Sequence, residues 1–223
     1  MRRRESFDGM DAPLLVIFDF DNTLIDSHIS FAELRGALID LWVSAAPLPQ
    51  PRDALLRLPI RDIVNHALAA SPALGAQIWA IVEAFEAAGL EGATAMPHAR
   101  AVLEALAARG ARLAVLTNNA RAATVRALHD LGLAPLFALT ITRDETSVLK
   151  PDPAGVHLIV QRLGPVEETY LVGDSWIDGQ AAHAAGIRFI GVGPRRGEVE
   201  ARGVTPWAWV ADLRGLLDLN LCG

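Results

Sequence analysis

An apolar run, Leu14 to Phe18, ends abruptly in two carboxylates, Asp19 and Asp21, followed by Asn22 and Thr23. A buried strand gains nothing from acids at its end, because desolvating unpaired charge is costly. Acids placed there await a cation or a reacting group. Three further segments repeat the pattern. Leu113 to Leu116 runs into Thr117-Asn118-Asn119, Lys150-Pro151-Asp152-Pro153 stands just before a helix, and Tyr170 to Val172 runs into Gly173-Asp174-Ser175-Trp176-Ile177-Asp178. As a set these types suit one chemistry. Asp19, Asp174 and Asp178 are hard oxygen ligands for Mg²⁺, and Lys150 offers a compact positive charge to a phosphate. The Thr117 hydroxyl and the backbone N–H groups near Asn118 can donate to anionic oxygens. One aspartate can then attack phosphorus, while a second protonates the leaving oxygen and activates water.

Residues so far apart meet only if parallel strands bring their carboxyl ends to one edge. From Pro97 onward the chain alternates accordingly. Strands are expected at 112–116, 136–142, 169–172, 189–192 and 207–210. Helices are expected at 97–109, 120–131, 153–163, 178–185 and 213–219, several of them stopped by a glycine. This rhythm predicts an α/β fold with a Rossmann-like parallel sheet and helices on both faces. Between residues 27 and 92 the spacing is helical throughout, broken at Pro47, Pro49, Pro51 and Pro59 and stopped at Gly89. That block reads as an inserted α-helical cap. The expected organisation is a mobile tail at 1–12, a core at 13–26 and 93–223, and the cap at 27–92.

The ordered set Asp19-Phe20-Asp21-Asn22-Thr23-Leu24, Thr117-Asn118, Lys150-Pro151 and Gly173-Asp174-Ser175 with Asp178 resembles the four motifs of the haloacid dehalogenase-like hydrolase superfamily. The cap between the first and second motifs is similar to that of its phosphoglycolate-phosphatase-like branch. The resemblance implies that Asp19 is the nucleophile, forming an aspartyl-phosphate, and also a Mg²⁺ ligand. It implies that Asp21 is the general acid/base and ligates the metal through its carbonyl, and that Thr117, Asn118 and Lys150 hold the phosphoryl group. Asp174 becomes a direct metal ligand. Asp178 orients metal-bound water or completes the acidic site, with simple helix capping the alternative; Thr23 is an auxiliary. Asn22 stands where many relatives have Gly, and Asn tolerates a left-handed turn. Arg61, in a break between cap helices, is a candidate grip on a substrate anion.

The implied activity is a Mg²⁺-dependent phosphatase acting on a small phosphomonoester, phosphoglycolate-like or another phosphometabolite. The alternatives are a phosphosugar mutase and a non-catalytic binding protein on the same scaffold. A formal charge of -6 argues against nucleic acid as a partner. Cys222 is the sole cysteine, so no intramolecular disulfide forms, which suits a cytoplasmic location. No apolar run is expected to reach the length of a membrane span, and a monomer or homodimer is expected. Trp42, Trp79, Trp207 and Trp209 are expected in packing, while Trp176 is a candidate wall of the cleft.

Overall fold

In a computed structural model the described residues are 14–146, 148–164 and 166–221. The expected tail at 1–12 and Cys222 lie outside them. Six parallel strands form the sheet: β1 (Leu14–Phe18), β4 (Arg112–Leu116), β5 (Leu139–Ile141), β6 (Glu168–Gly173), β7 (Arg188–Val192) and β8 (Ala208–Val210), in the order β5-β4-β1-β6-β7-β8. β1 is central, and its period-2 alternation feeds both faces. Leu14, Val16 and Phe18 enter one apolar cluster, with Val102, Leu103 and Leu106 of α5 (Ala99–Ala108). Leu15 and Ile17 enter the other, with Ile159 of α7 (Ala154–Leu163) and Ala181 of α8 (Trp176–Ala184). A strand covered on both sides needs a continuous apolar run, which is what Leu14 to Phe18 supplies.

Register fixes the functional edge. Phe18 stands opposite Val115 on one side and Val172 on the other. The residues that follow, Asp19, Thr117 and Asp174, therefore leave three neighbouring strands side by side. The Asp19 N–H extends the ladder by one bond, donating to the Val172 carbonyl at 2.8 Å.

The helical insert comprises α1 (Phe31–Ala45), α2 (Arg52–Leu55), α3 (Ile60–Ala70) and α4 (Gly75–Leu90). Its own apolar cluster includes Leu34, Leu38, Trp42, Ile63, Val64, Ile78 and Val82. A short antiparallel pair, β2 (Ile25–Asp26) with β3 (Thr94–Ala95), joins its two connections to the sheet. Two-residue strands are too short to show a period, so the sequence gives no sign of them.

Five details differ from expectation. The strand expected at 136–142 is shortened to Leu139–Ile141, behind a 3₁₀ segment over Ala134–Leu136. Gly89 does not stop α4, which continues to Leu90. It is instead a close-approach site: a Cβ there would come within 2.6 Å of the Ile29 Cα, and the Gly89 carbonyl accepts from the His28 N–H at 2.9 Å. The helix expected at 213–219 is a 3₁₀ segment over Leu213–Asp218. A further helix, α9 (Arg196–Ala201), lies in a stretch that reads as loop. Finally, the apolar stretch Pro72–Leu90 is long and apolar enough to cross a membrane by length and composition. Its residues Leu74, Ile78 and Val82 are spent on the insert's own core.

Candidate active site

Lys150 is the hub of the sheet's carboxyl edge. It is buried, and its Nζ donates to Asp19 Oδ1 at 2.5 Å, to Asp178 Oδ1 at 2.7 Å and to the Leu116 carbonyl at 2.9 Å. Its backbone is clamped by one side chain. Asn118 Nδ2 donates to the Lys150 carbonyl at 3.1 Å, and Asn118 Oδ1 accepts from the Lys150 N–H at 2.9 Å. The Asn118 amide thus positions Lys150. Burial alone would lower the lysine pKa. The Asp178 and Asp19 carboxylates overcome that and hold it above the ordinary lysine value, so Lys150 is a fixed positive charge.

Around it the acids converge. Oxygens of Asp19, Asp174 and Asp178 lie within 4.8 Å of one another. Thr23 Oγ1 donates to Asp19 Oδ2 at 3.2 Å, so both Asp19 oxygens are engaged. Asp178 is engaged twice. With Ser175 it forms the capping box of α8, and it also binds Lys150. Gly173 makes room for it, because a Cβ there would stand 2.6 Å from the Asp178 carboxylate. Asn22 adopts φ 56°, the left-handed conformation expected of it, and turns the chain so that Asp21 faces the cavity.

Burial, then the neighbouring charge of Asp178, pushes the Asp19 carboxyl well above the usual carboxylate range, against the pull of Lys150. The same two causes raise Asp174 to about 7, opposed by Arg195 and Lys150. Burial also raises Asp21, against the nearby Ser27 hydroxyl and Asn119 amide. Asp21 Oδ2 accepts from Asn119 Nδ2 at 2.7 Å, while its buried Oδ1 has no partner at hydrogen-bond geometry among the described residues. Four carboxylates thus face two cations, Lys150 and Arg195, in one place. The all-oxygen donor set of Asp19, Asp174 and Asp178, buried and gathered within reach of one point, fits a divalent metal ion.

The edge opens into a cavity of about 550 Å³ beneath the insert. Asp19, Asp21, Thr117, Asn118, Lys150, Asp174 and Asp178 all line it, as do Arg61 and Trp176. Thr23 reaches it only through Asp19. Trp79, expected in packing alone, also lines it and lies under the Arg143 guanidinium at 5.1 Å.

The profile of the haloacid dehalogenase-like hydrolases matches residues 14–186. The chain belongs to that family. A phosphoglycolate phosphatase of Yersinia pseudotuberculosis is 33% identical to this hydrolase over 188 residues, 79% of each chain. One from Pseudomonas putida is 31% identical over 217 residues, covering 92% of this chain and 79% of its own. A solved structure from Lactobacillus plantarum superposes with a TM-score of 0.71 at 20% identity, covering 94% of this chain and 99% of its own. It shares the fold.

Three features of the hydrolase's site escape sequence reasoning. Asn119 holds Asp21, and only its place next to Thr117-Asn118 hints at that. Arg195 Nη1 lies 3.0 Å from Asp174 Oδ2, carried there by a turn before α9. Glu86 is a buried acid on α4 that accepts from the Ala120 N–H at 3.0 Å and from Arg143. Ala120 directly precedes α6 (Arg121–Asp130), so Glu86 ties the insert to a helix start beside Asn119.

Proposed function

We propose that this hydrolase is a Mg²⁺-dependent phosphatase that cleaves a small phosphomonoester through an aspartyl-phosphate intermediate. The observation that carries the reading is the Lys150 ammonium, bound to Asp19 and Asp178 at the carboxyl edge of the sheet and ringed by acids. Its relatives' activity on phosphoglycolate supports a phosphorylated metabolite as substrate.

Asp19, Asp174 and the Asp21 carbonyl would hold Mg²⁺, with Asp178 orienting a water beside it. When bound, the ion supplies charge neutralisation, so that an anionic ester can approach an anionic nucleophile. The chain's own groups do the rest. Lys150, the Thr117 hydroxyl and the backbone N–H of Asn118 take the phosphoryl oxygens and hold phosphorus in line with Asp19. The Asp19 carboxylate attacks phosphorus. The bond to the ester oxygen breaks, and that oxygen leaves with the proton of the Asp21 carboxyl. In the second half, Asp21 takes a proton from water as the water oxygen attacks phosphorus. The bond to Asp19 breaks, and inorganic phosphate departs. The insert above the site keeps bulk water from the reacting centre.

The test is phosphate release from phenyl phosphate and phosphoglycolate with Mg²⁺, comparing the wild type with Asp19→Asn. The amide keeps the shape but cannot attack, and turnover should drop to background. Retained turnover removes Asp19 as the nucleophile. Interconversion of sugar phosphates without net phosphate release would replace the phosphatase by the mutase.

A further inference from the structure

Four arginines line the cavity: Arg35, Arg61, Arg143 and Arg195. Three already face an acid. Arg61 lies 3.3 Å from Asp62, Arg195 lies 3.0 Å from Asp174, and Arg143 is bound by Glu86 with Glu83 at 3.7 Å. Arg35 is different. Its Nε donates to the Leu58 carbonyl at 3.0 Å and its Nη1 to the Phe31 carbonyl at 3.2 Å. Those carbonyls preset the fork without neutralising it. Among the described residues no carboxylate forms an ion pair with it. Glu198 acts on it only at longer range, and burial lowers the guanidinium from its ordinary value. A half-buried guanidinium with no carboxylate at ion-pair distance among the described residues is suited to bind an anion.

Its surroundings say what kind of molecule carries that anion. The insert side of the cavity presents Phe31, Leu34, Val64, Leu68, Trp79 and Val82. A volume of about 550 Å³ is in the range that accepts drug-sized ligands. It is far more than a phosphorylated two-carbon acid fills, and such an acid offers nothing to the apolar wall. Arg61, paired with Asp62, is the less available of the two insert arginines that line the cavity.

We infer that Arg35 is the specificity-determining cation of the cavity, and that the substrate is a phosphomonoester with an apolar, ring-sized body ending in a carboxylate. This rests on the phosphatase reading. The phosphate lies on Lys150, the body against Trp79 and Val64, and the carboxylate on Arg35.

The experiment measures Mg²⁺-dependent phosphate release from 4-carboxyphenyl phosphate, phenyl phosphate and phosphoglycolate. It uses the wild type, Arg35→Met, Arg35→Lys and Val64→Trp. The wild type is expected to favour the carboxylated aryl ester over phenyl phosphate by about 10- to 100-fold in kcat/KM, as for one charge-assisted hydrogen bond, and chiefly through KM. In Arg35→Met that ratio collapses to about one, and Arg35→Lys restores part of it. Val64→Trp, which fills the apolar wall, lowers both aryl esters against phosphoglycolate. A wild-type ratio near one with phenyl phosphate still hydrolysed overturns this inference alone. So does a ratio that survives Arg35→Met, or equal losses in Arg35→Met and Glu198→Gln on all three esters, which would make Arg35 a partner of Glu198. Should Arg35→Met fail to fold, Arg35→Gln takes its place, and a carboxylated-to-phenyl ratio that survives it overturns the inference equally. No release from any ester by the wild type removes the phosphatase reading and this inference with it.

Discussion

Replacing Lys150 by Met keeps an unbranched stem of similar volume in place and deletes one charge. The ammonium bonds Asp19 at 2.5 Å and Asp178 at 2.7 Å, and is itself buried. Its removal leaves those two carboxylates, with Asp174 close by, crowded in a desolvated site. Breaking one side of a buried charge cluster costs about 3–5 kcal/mol. Against a whole-domain stability of about 5–15 kcal/mol, the variant still folds but loses a large fraction of its margin. With a urea slope of about 3 kcal/mol/M, the unfolding midpoint should fall by about 1–2 M in metal-free buffer at pH 7.5. Two controls tell charge from packing. At pH 5 the raised carboxyl of Asp19 takes a proton more readily, so the loss should shrink. Millimolar Mg²⁺ should also shrink it by supplying the missing positive charge. The measurement is urea unfolding followed by tryptophan fluorescence at both pH values, with and without the ion. A midpoint shift below about 0.3 M would refute the reasoning, as would a shift of equal size under all conditions.

Other expectations concern single groups. Asp174, raised from 3.8 to about 7, binds its proton more tightly folded than unfolded. Its stabilising contribution in metal-free protein is therefore full below about pH 4 and is lost as pH rises through 7, by about 4 kcal/mol at most. Comparing the urea midpoints of wild type and Asp174→Asn across pH 4–8 isolates it, and parallel curves would contradict the assignment. In Gly89→Ala the new methyl would stand 2.6 Å from the Ile29 Cα, so thermal unfolding should show a loss of about 1–3 kcal/mol; a neutral effect would mean that the connection yields freely. Asn119→Ala removes the amide that holds Asp21 Oδ2. The Asp21 carboxyl should rise further, moving the pH dependence of kcat upward with kcat down about 10- to 100-fold and KM little changed; an unmoved pH profile would put Asn119 in packing only.

What the sequence discloses follows from how far each interaction reaches along the chain. β1 is legible because five apolar residues followed by Asp19 and Asp21 carry both the strand and its chemical end locally. The parallel sheet is legible because the strand–helix rhythm repeats. α9 is not, since six residues beginning after Gly193-Pro194-Arg195 are too few to show a helical period, and the place of Arg195 is hidden with it. Gly89 shows the limit of reading glycine as punctuation. Its role is set by Ile29, sixty residues earlier in the chain, and not by its own helix. The Glu86–Arg143 pair joins residues fifty-seven positions apart. No local pattern distinguishes that buried acid from the exposed Glu83 one turn before it on α4.

The ladder of Ile25–Asp26 with Thr94–Ala95 has a consequence for engineering. Everything between those strands is, topologically, the loop of a hairpin. A two-residue Asn-Gly turn could close it in the insert's stead, and β1 would still enter the sheet beside β4 and β6. The same geometry makes this position a natural splice point, where segments of very different length can be exchanged without re-registering a single central strand.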